Sequence, residues 1–321
     1  MTRTTPPRPL DIADAFPELT AYATTATRLH PRPGAPAVGD SSIAGPLLWP
    51  ADEPWPVCED GGDHYVNRLL TPQTVRHMRA VYASGDFDDL TEDDKAQVPD
   101  YDYSEPESLV EQPIPLIPVA QLYRRDTPDF AGPDDADVLQ VLWCPLDHPE
   151  LGYNPSVRVY WRRSDEIGRL LDAAPEPPVV NDDYFPTPCV VHPEQIREFP
   201  YAGLLPDDLK SRIRAWEQKH DGSGYQYDLS LAPGWKVGGY ANWSLTDPYP
   251  MNCADCGTTM TLLFTADSGE WQGGDTSSWR PVEETSQASP GPTDVVIGRG
   301  YALYVFRCPA SFDHPVATAM Q

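Results

Sequence analysis

Two stretches of this chain read as one pattern written twice. VLQVLWCPLDHP (138–149) and ALYVFRCPASFDHP (302–315) each run an apolar strand into Cys-Pro and then Asp-His-Pro. The residues ahead of them correspond as well. GPLLWPADEPWP and then PLIPVAQLY lead into the first, and KVGGYANW and then MTLLFTADSGEW lead into the second. An internal repeat constrains the fold more than any local propensity, because each copy has to find the same packing solution. The expectation is an α+β fold, mostly antiparallel β, in two pseudo-repeated units that share a core, with peripheral helices. The boundaries are a frayed tail at 1–10, a first unit at about 11–162, a helical connection at about 163–230 and a second unit at about 231–321.

Proline supports short elements. There are 38 in 321 residues, spread along the chain, more than twice the background of about 5%. Five strands are read from β-branched and aromatic runs bounded by Pro, Gly or Asp: 113–123, 137–149, 156–162, 259–268 and 300–315. Four helices are read from apolar spacing and start signals. The first runs from Asp11 through TTATRLH, with Ile12, Phe16, Leu19 and Ala23 on one face and Pro17 bending it. The second is TPQTVRHMRAVYAS, capped by Thr71. The third is SDEIGRLLDAA, capped by Ser164. The fourth is LPDDLKSRIRAWEQKH, with Leu209, Ile213 and Trp216 facing inward.

Cys253 and Cys256 form a Cys-x-x-Cys pair followed by Gly257. Three readings stand: half a metal site, a redox dithiol, or two buried thiols. A redox pair sits at a helix N-terminus, which lowers a thiol pKa, whereas TTMTLLF after Gly257 reads as a strand. A tetrahedral zinc needs four Cys or His ligands. Cys308 and His314 end the last strand, and they converge on the pair if that strand neighbours MTLLFTADS. Zinc at Cys253, Cys256, Cys308 and His314, closed and structural, is the favoured reading, with Cys308 as a core thiol its alternative. The first unit holds Cys144 and His148 without a preceding Cys-x-x-Cys, and reads as a copy that lost, or never had, its metal. Cys144 and Cys189 are expected in the core and Cys58 in a polar turn. Asp147 and His148 are adjacent, so as a catalytic dyad they would point to opposite faces of a strand.

The ordered landmarks TATRLHPRPGAP, GPLLWPADEPWP, PLIPVAQL and WKVGGYANW resemble the YwqG-like family of bacterial proteins, a domain of unknown function. The second unit also resembles the programmed cell death protein 2 family. There a Gly-Gly-x-x-x-Trp stretch, here Gly238, Gly239 and Trp243, precedes Cys-x-x-Cys and two apolar strands. His314 stands where that family more often has a cysteine. The eukaryotic relatives are regarded as chaperones of a ribosomal protein, so the resemblance implies a client-holding use. The YwqG-like family also resembles immunity proteins found beside polymorphic toxins.

Charge points the same way. With 49 acids against 23 bases the net charge is -26, a field that repels nucleic acid and anionic membranes and steers in a basic protein. Residues 86–107 hold ten acids and one Lys, with Phe87, Tyr101 and Tyr103 interleaved. Aromatics among carboxylates suit Arg and Lys side chains, although such a run also suits a solvated loop. No phosphate loop, H-E-x-x-H or G-x-S-x-G elbow is present. No apolar run approaches the roughly 18 residues of a membrane span, and the N-terminus lacks a signal-peptide core. The expected protein is therefore cytoplasmic and non-enzymatic, and binds a basic partner protein. Its alternatives are an immunity protein that neutralises a toxin, and an enzyme with an unrecognised site.

Overall fold

The computed structural model describes residues 2–58, 64–66, 68–83, 91–95, 98–220, 224–271 and 278–321. Its strands, in chain order, are β1 (Thr24–Arg28), β2 (Arg32–Pro33), β3 (Ser42–Ile43), β4 (Val57–Cys58), β5 (Ile114–Pro115), β6 (Ile117–Tyr123) and β7 (Val138–Trp143). They continue with β8 (Val157–Arg162), β9 (Cys189–Val190), β10 (Glu194–Glu198), β11 (Lys236–Gly238), β12 (Thr261–Asp267), β13 (Ala302–Arg307) and β14 (Ala317–Met320). They build two six-stranded sheets, ordered β10-β1-β11-β12-β13-β14 and β2-β9-β3-β6-β7-β8, and a small β4-β5 pair. Every pairing is antiparallel. The fold is α+β, dominated by antiparallel β.

The two sheets match strand for strand, and the match extends to an irregularity. In β6–β7 the register shifts between Pro118 and Ala120, just after Ile117 pairs with Trp143. In β12–β13 it shifts between Leu262 and Phe264, just after Thr261 pairs with Arg307. Ile117 is thus equivalent to Thr261, and Cys144, which follows Trp143, to Cys308, which follows Arg307. A bulge inserts one unpaired residue and bends its strand, so its recurrence at the same step makes the two hairpins structural copies. One apolar core lies between the sheets and draws on both: Val119, Val141 and Trp143 from one, Val237, Phe264 and Val305 from the other.

The units are interlaced. Residues 24–33 run from β1 in one sheet to β2 in the other, and 189–198 run from β9 back to β10. These segments lie antiparallel, from Thr24 opposite Glu198 to Pro33 opposite Cys189. At the crossing His192 N–H donates to the Leu29 carbonyl at 2.7 Å, and Leu29 N–H to that of Trp235 at 2.9 Å. His30 turns the chain there with a left-handed φ of 45°. Its buried ring is held by Glu270 on one nitrogen and Glu194 on the other.

The helices are peripheral: α1 (Ile12–Ala15), α2 (Pro72–Tyr82), α3 (Glu92–Lys95) and α4 (Asp207–Glu217). In α2 the Thr71 hydroxyl accepts from Thr74 N–H at 3.1 Å, as a capping residue should. In α4 Leu209 and Ile213 are buried. The first expected helix is corrected. It ends at Ala15, a 3₁₀ turn starts at Pro17, and Thr24–Arg28 is strand. Pro17 cannot donate to the preceding turn, and Thr24–Arg28 finds strand partners on both sides. The helix expected from Ser164 is a short 3₁₀ turn, because Asp137 captures the Ser164 N–H and hydroxyl. The stretch 163–230, expected as helical, contains α4 but also β9 and β10. Within 1–10, expected as a tail, Arg3 and Thr4 lie against 282–284: Val282 N–H donates to the Thr4 carbonyl, Glu283 accepts from Thr4, and Arg3 pairs with Glu284. No helix among the described residues is long and apolar enough to cross a membrane.

Candidate metal centres

The strand pairing brings the predicted ligands of the second unit together. Residues 251–260 form a tight hairpin closed by Met260 N–H to the Met251 carbonyl (2.7 Å), Cys253 N–H to that of Thr258 (2.9 Å) and Gly257 N–H to that of Cys253 (2.8 Å). The turn needs a left-handed residue, and Gly257 supplies it with φ of 71°. Both sulfurs of the turn then face the end of β13. Cys308 follows that strand directly, and His314 lies in the loop before β14.

The four ligand atoms all lie within 4.8 Å of one another. His314 Nδ1 is 3.4 Å from the sulfurs of both Cys253 and Cys308, and the Cys256 sulfur is 3.5 Å from that of Cys308. Cys253 and Cys308 are buried, His314 is half-buried and Cys256 is exposed. Hydrogen bonds from the Thr258 side chain and backbone bring the Cys256 thiol down to about 6. Burial would raise Cys308, but hydrogen bonds from the Ala310 backbone and His314 hold it below the usual thiol range. Burial, the largest influence, moves Cys253 upward. The hydrogen bond to Cys308 raises His314. These are the groups a metal requires, with two thiols already inclined to lose their protons.

A second cluster stands in the first unit. Cys58, Cys144 and His148 are buried, His64 is half-buried, and their ligand atoms also converge within 4.8 Å. Cys58 Sγ is 3.2 Å from His148 Nε2 and 3.5 Å from His64 Nε2, and Cys144 Sγ is 3.5 Å from His64 Nε2. One expectation is therefore corrected: Cys58 is buried at the end of β4 rather than in a polar turn. Cys144 is in the core, as expected, and also stands in a cluster that could hold a metal ion. The first unit is not a copy stripped of its metal-binding groups. The sequence did carry a signal: Cys144 and Cys308 are equivalent, and Cys58 and His64 are spaced closely enough to supply the other pair.

Asp147 and His148 part company, as adjacent residues should. Asp147 accepts from the Tyr184 hydroxyl at 2.7 Å and from Asn181, while His148 turns to Cys58. Cys189 is a core thiol, pushed by burial up to about 12. Gly238 and Gly239, with φ of 73° and 74°, serve packing. A Cβ on Gly239 would come within 2.3 Å of the Glu198 carboxylate, which accepts from Tyr240 N–H. Each cluster offers four Cys or His donors, enough to hold a metal ion with no position left for a reacting water. No protein-family model matches this chain, and no curated protein matches it as a relative.

Proposed function

We propose that this chain is a non-enzymatic protein-binding module that holds a basic client, in the manner of a dedicated chaperone. The observation that carries the reading is the charge of -26 together with the acidic, aromatic segment 86–107. Residues 86–90, which include Phe87, lie outside the described residues, as do 96 and 97. In the described part Tyr101 is 93% exposed and Tyr103 is also exposed, both among carboxylates. Arg and Lys side chains stack on such rings and pair with such acids. The resemblance to the YwqG-like and programmed cell death protein 2 families supports the same use.

We assign zinc to the Cys253, Cys256, Cys308 and His314 site. Thiolate and imidazole donors without a carboxylate favour zinc over calcium or magnesium. Four protein ligands make it structural: it would tie the 251–260 hairpin to the end of β13.

The experiment is capture of partners from native lysate of the source cells, followed by binding of the purified partner at two salt concentrations. Wild type is compared with a variant in which the eight acids from Asp86 to Asp102 become Asn or Gln. Individual exposed pairs contribute little, so the eight act jointly. The expected result is a stoichiometric basic protein whose association slows as salt rises, because screening sets in beyond about 8 Å. The variant should bind it at least tenfold more weakly. Recovery of no basic protein, or unchanged affinity and salt dependence, overturns the reading.

A further inference from the structure

We propose that Cys58, His64, Cys144 and His148 hold a second zinc ion, so that the chain carries one zinc in each repeat. No client is involved in this site, and its ligand geometry fits zinc. Zinc binds sulfur at about 2.3 Å and nitrogen at about 2.0–2.1 Å, so tetrahedral neighbours lie roughly 3.3–3.8 Å apart. The sulfur–nitrogen separations here are 3.2, 3.5 and 3.5 Å. The imidazoles of His64 and His148 meet edge to face, with ring centroids 4.8 Å apart at 78°. That packing sends both Nε2 atoms toward the sulfurs.

Two thiols and two imidazoles are gathered in one apolar setting and meet one another there, the arrangement in which a single ion can be shared by all four. The surroundings are Trp49, Leu69, Ile114, Leu116 and Leu146. Metal coordination at Nε2 of His64 would fix the tautomer of this ring with its proton on Nδ1. Two thiolates and two neutral imidazoles also cancel the charge of a zinc ion, leaving a neutral centre. A neutral centre avoids the large desolvation cost of a buried net charge.

The duplication points to the same site. Cys144 and Cys308 occupy the same step after equivalent strands, directly beyond the Trp143–Ile117 and Arg307–Thr261 pairs. The repeats then draw their remaining ligands differently. The second uses a Cys-x-x-Cys hairpin just before β12, and the first uses the β4 end and His64, beside the β4–β5 pair that leads into β6. The two sites therefore close the equivalent ends of equivalent hairpins, β6–β7 and β12–β13.

The two centres should differ in lability. The second-repeat site has three thiolates, net negative charge with zinc, and an exposed Cys256, whereas both first-repeat thiols are buried and none of the four ligands is exposed. A thiol-reactive mercurial should release the second-repeat zinc first.

The test is zinc content by mass spectrometry of the reduced full chain, after reconstitution with zinc and removal of excess. The expected content is two zinc ions per chain, falling to one in Cys256→Ser and to one in His148→Ala or His64→Gln. Cobalt loaded into Cys253→Ser/Cys256→Ser, which leaves one thiolate in the second repeat, should give tetrahedral ligand-field bands, with a charge-transfer band of two thiolates. If His148→Ala fails to fold, the wild-type count and the cobalt spectrum of this double variant decide. One zinc that disappears in Cys256→Ser overturns this proposal and leaves the second-repeat assignment intact. One zinc that survives Cys256→Ser but is lost in His64→Gln supports it and removes the other. No zinc at all overturns both.

Discussion

Single residues set the turn that presents Cys253 and Cys256. Gly257 sits at φ of 71°, and a Cβ there would meet nothing within 4 Å. Gly257→Ala therefore isolates backbone strain from crowding. It should cost about 1 kcal/mol in urea unfolding and weaken zinc retention against a chelator, with no new clash. His30 is a second special position, and its partner Glu194 predicts a pH response. Burial alone would raise Glu194, but hydrogen bonds from His30 and from Thr5 prevail and bring it to about 2, from an ordinary value of 4.5. A carboxyl with a depressed folded pKa stabilises the fold above its unfolded value and loses that contribution as pH falls toward its folded value. Unfolding midpoints should therefore fall between about pH 4.5 and pH 2, and Glu194→Gln should flatten part of that slope. At this scale one ligand set was legible, because Cys-x-x-Cys is a compact signal. The other was not, because Cys58 and His64 come from a proline-rich stretch without periodicity. Their partners are about eighty residues away, 144 and 148 against 58 and 64. Only the duplication connects them.

Elements were legible where a local pattern carried them. The strands β6, β7, β8, β12 and β13 are long, apolar runs, and each lies inside its expected run, although 137–149 and 300–315 overran β7 and β13 by six and eight residues past the Cys-Pro turns. The short strands β1, β9, β10 and β11 escaped because their stability comes from partners distant in sequence. Thr24–Arg28 continues a helix-like pattern until Glu194–Glu198 and Lys236–Gly238 pair with it on either side. A buried ion pair spans this three-stranded patch. Lys236 Nζ donates to Glu198 at 2.5 Å, and Glu198 also accepts from Ala232 N–H and Tyr240 N–H. The side chains are 3% and 0% exposed, so removing one partner strands a charge in the interior. Lys236→Met should cost about 3–5 kcal/mol by urea unfolding. The Lys236→Met/Glu198→Gln double variant should cost less than the sum of the single changes, since it removes the unpaired carboxylate. Additive losses would mean that the two residues are not coupled.

At the scale of the molecule, the crossing segments decide how the repeats behave. Each sheet borrows strands from outside its own unit: β1 and β10 complete the sheet of the second unit, and β9 joins β2 at the edge of the other. A fragment of residues 231–321 would keep β11, β12, β13 and β14 but would leave β11 as an open edge, without β1 beside it. It would also lose the facing sheet, and with it half of the walls around Trp235 and Phe264, whose rings meet at 5.8 Å while Trp235 lies 6.4 Å from Trp143. An uncovered edge and an exposed apolar face favour aggregation over folding. The repeats therefore look like two copies in sequence but form a single cooperative unit. Unfolding of the full, metal-loaded chain should show one transition, coincident by tryptophan fluorescence and far-ultraviolet circular dichroism. The 231–321 fragment, supplied with zinc, should remain unfolded or aggregate. If that fragment folds and binds one zinc, or if the full chain melts in two separated steps, the borrowed strands are decoration and each repeat is its own domain.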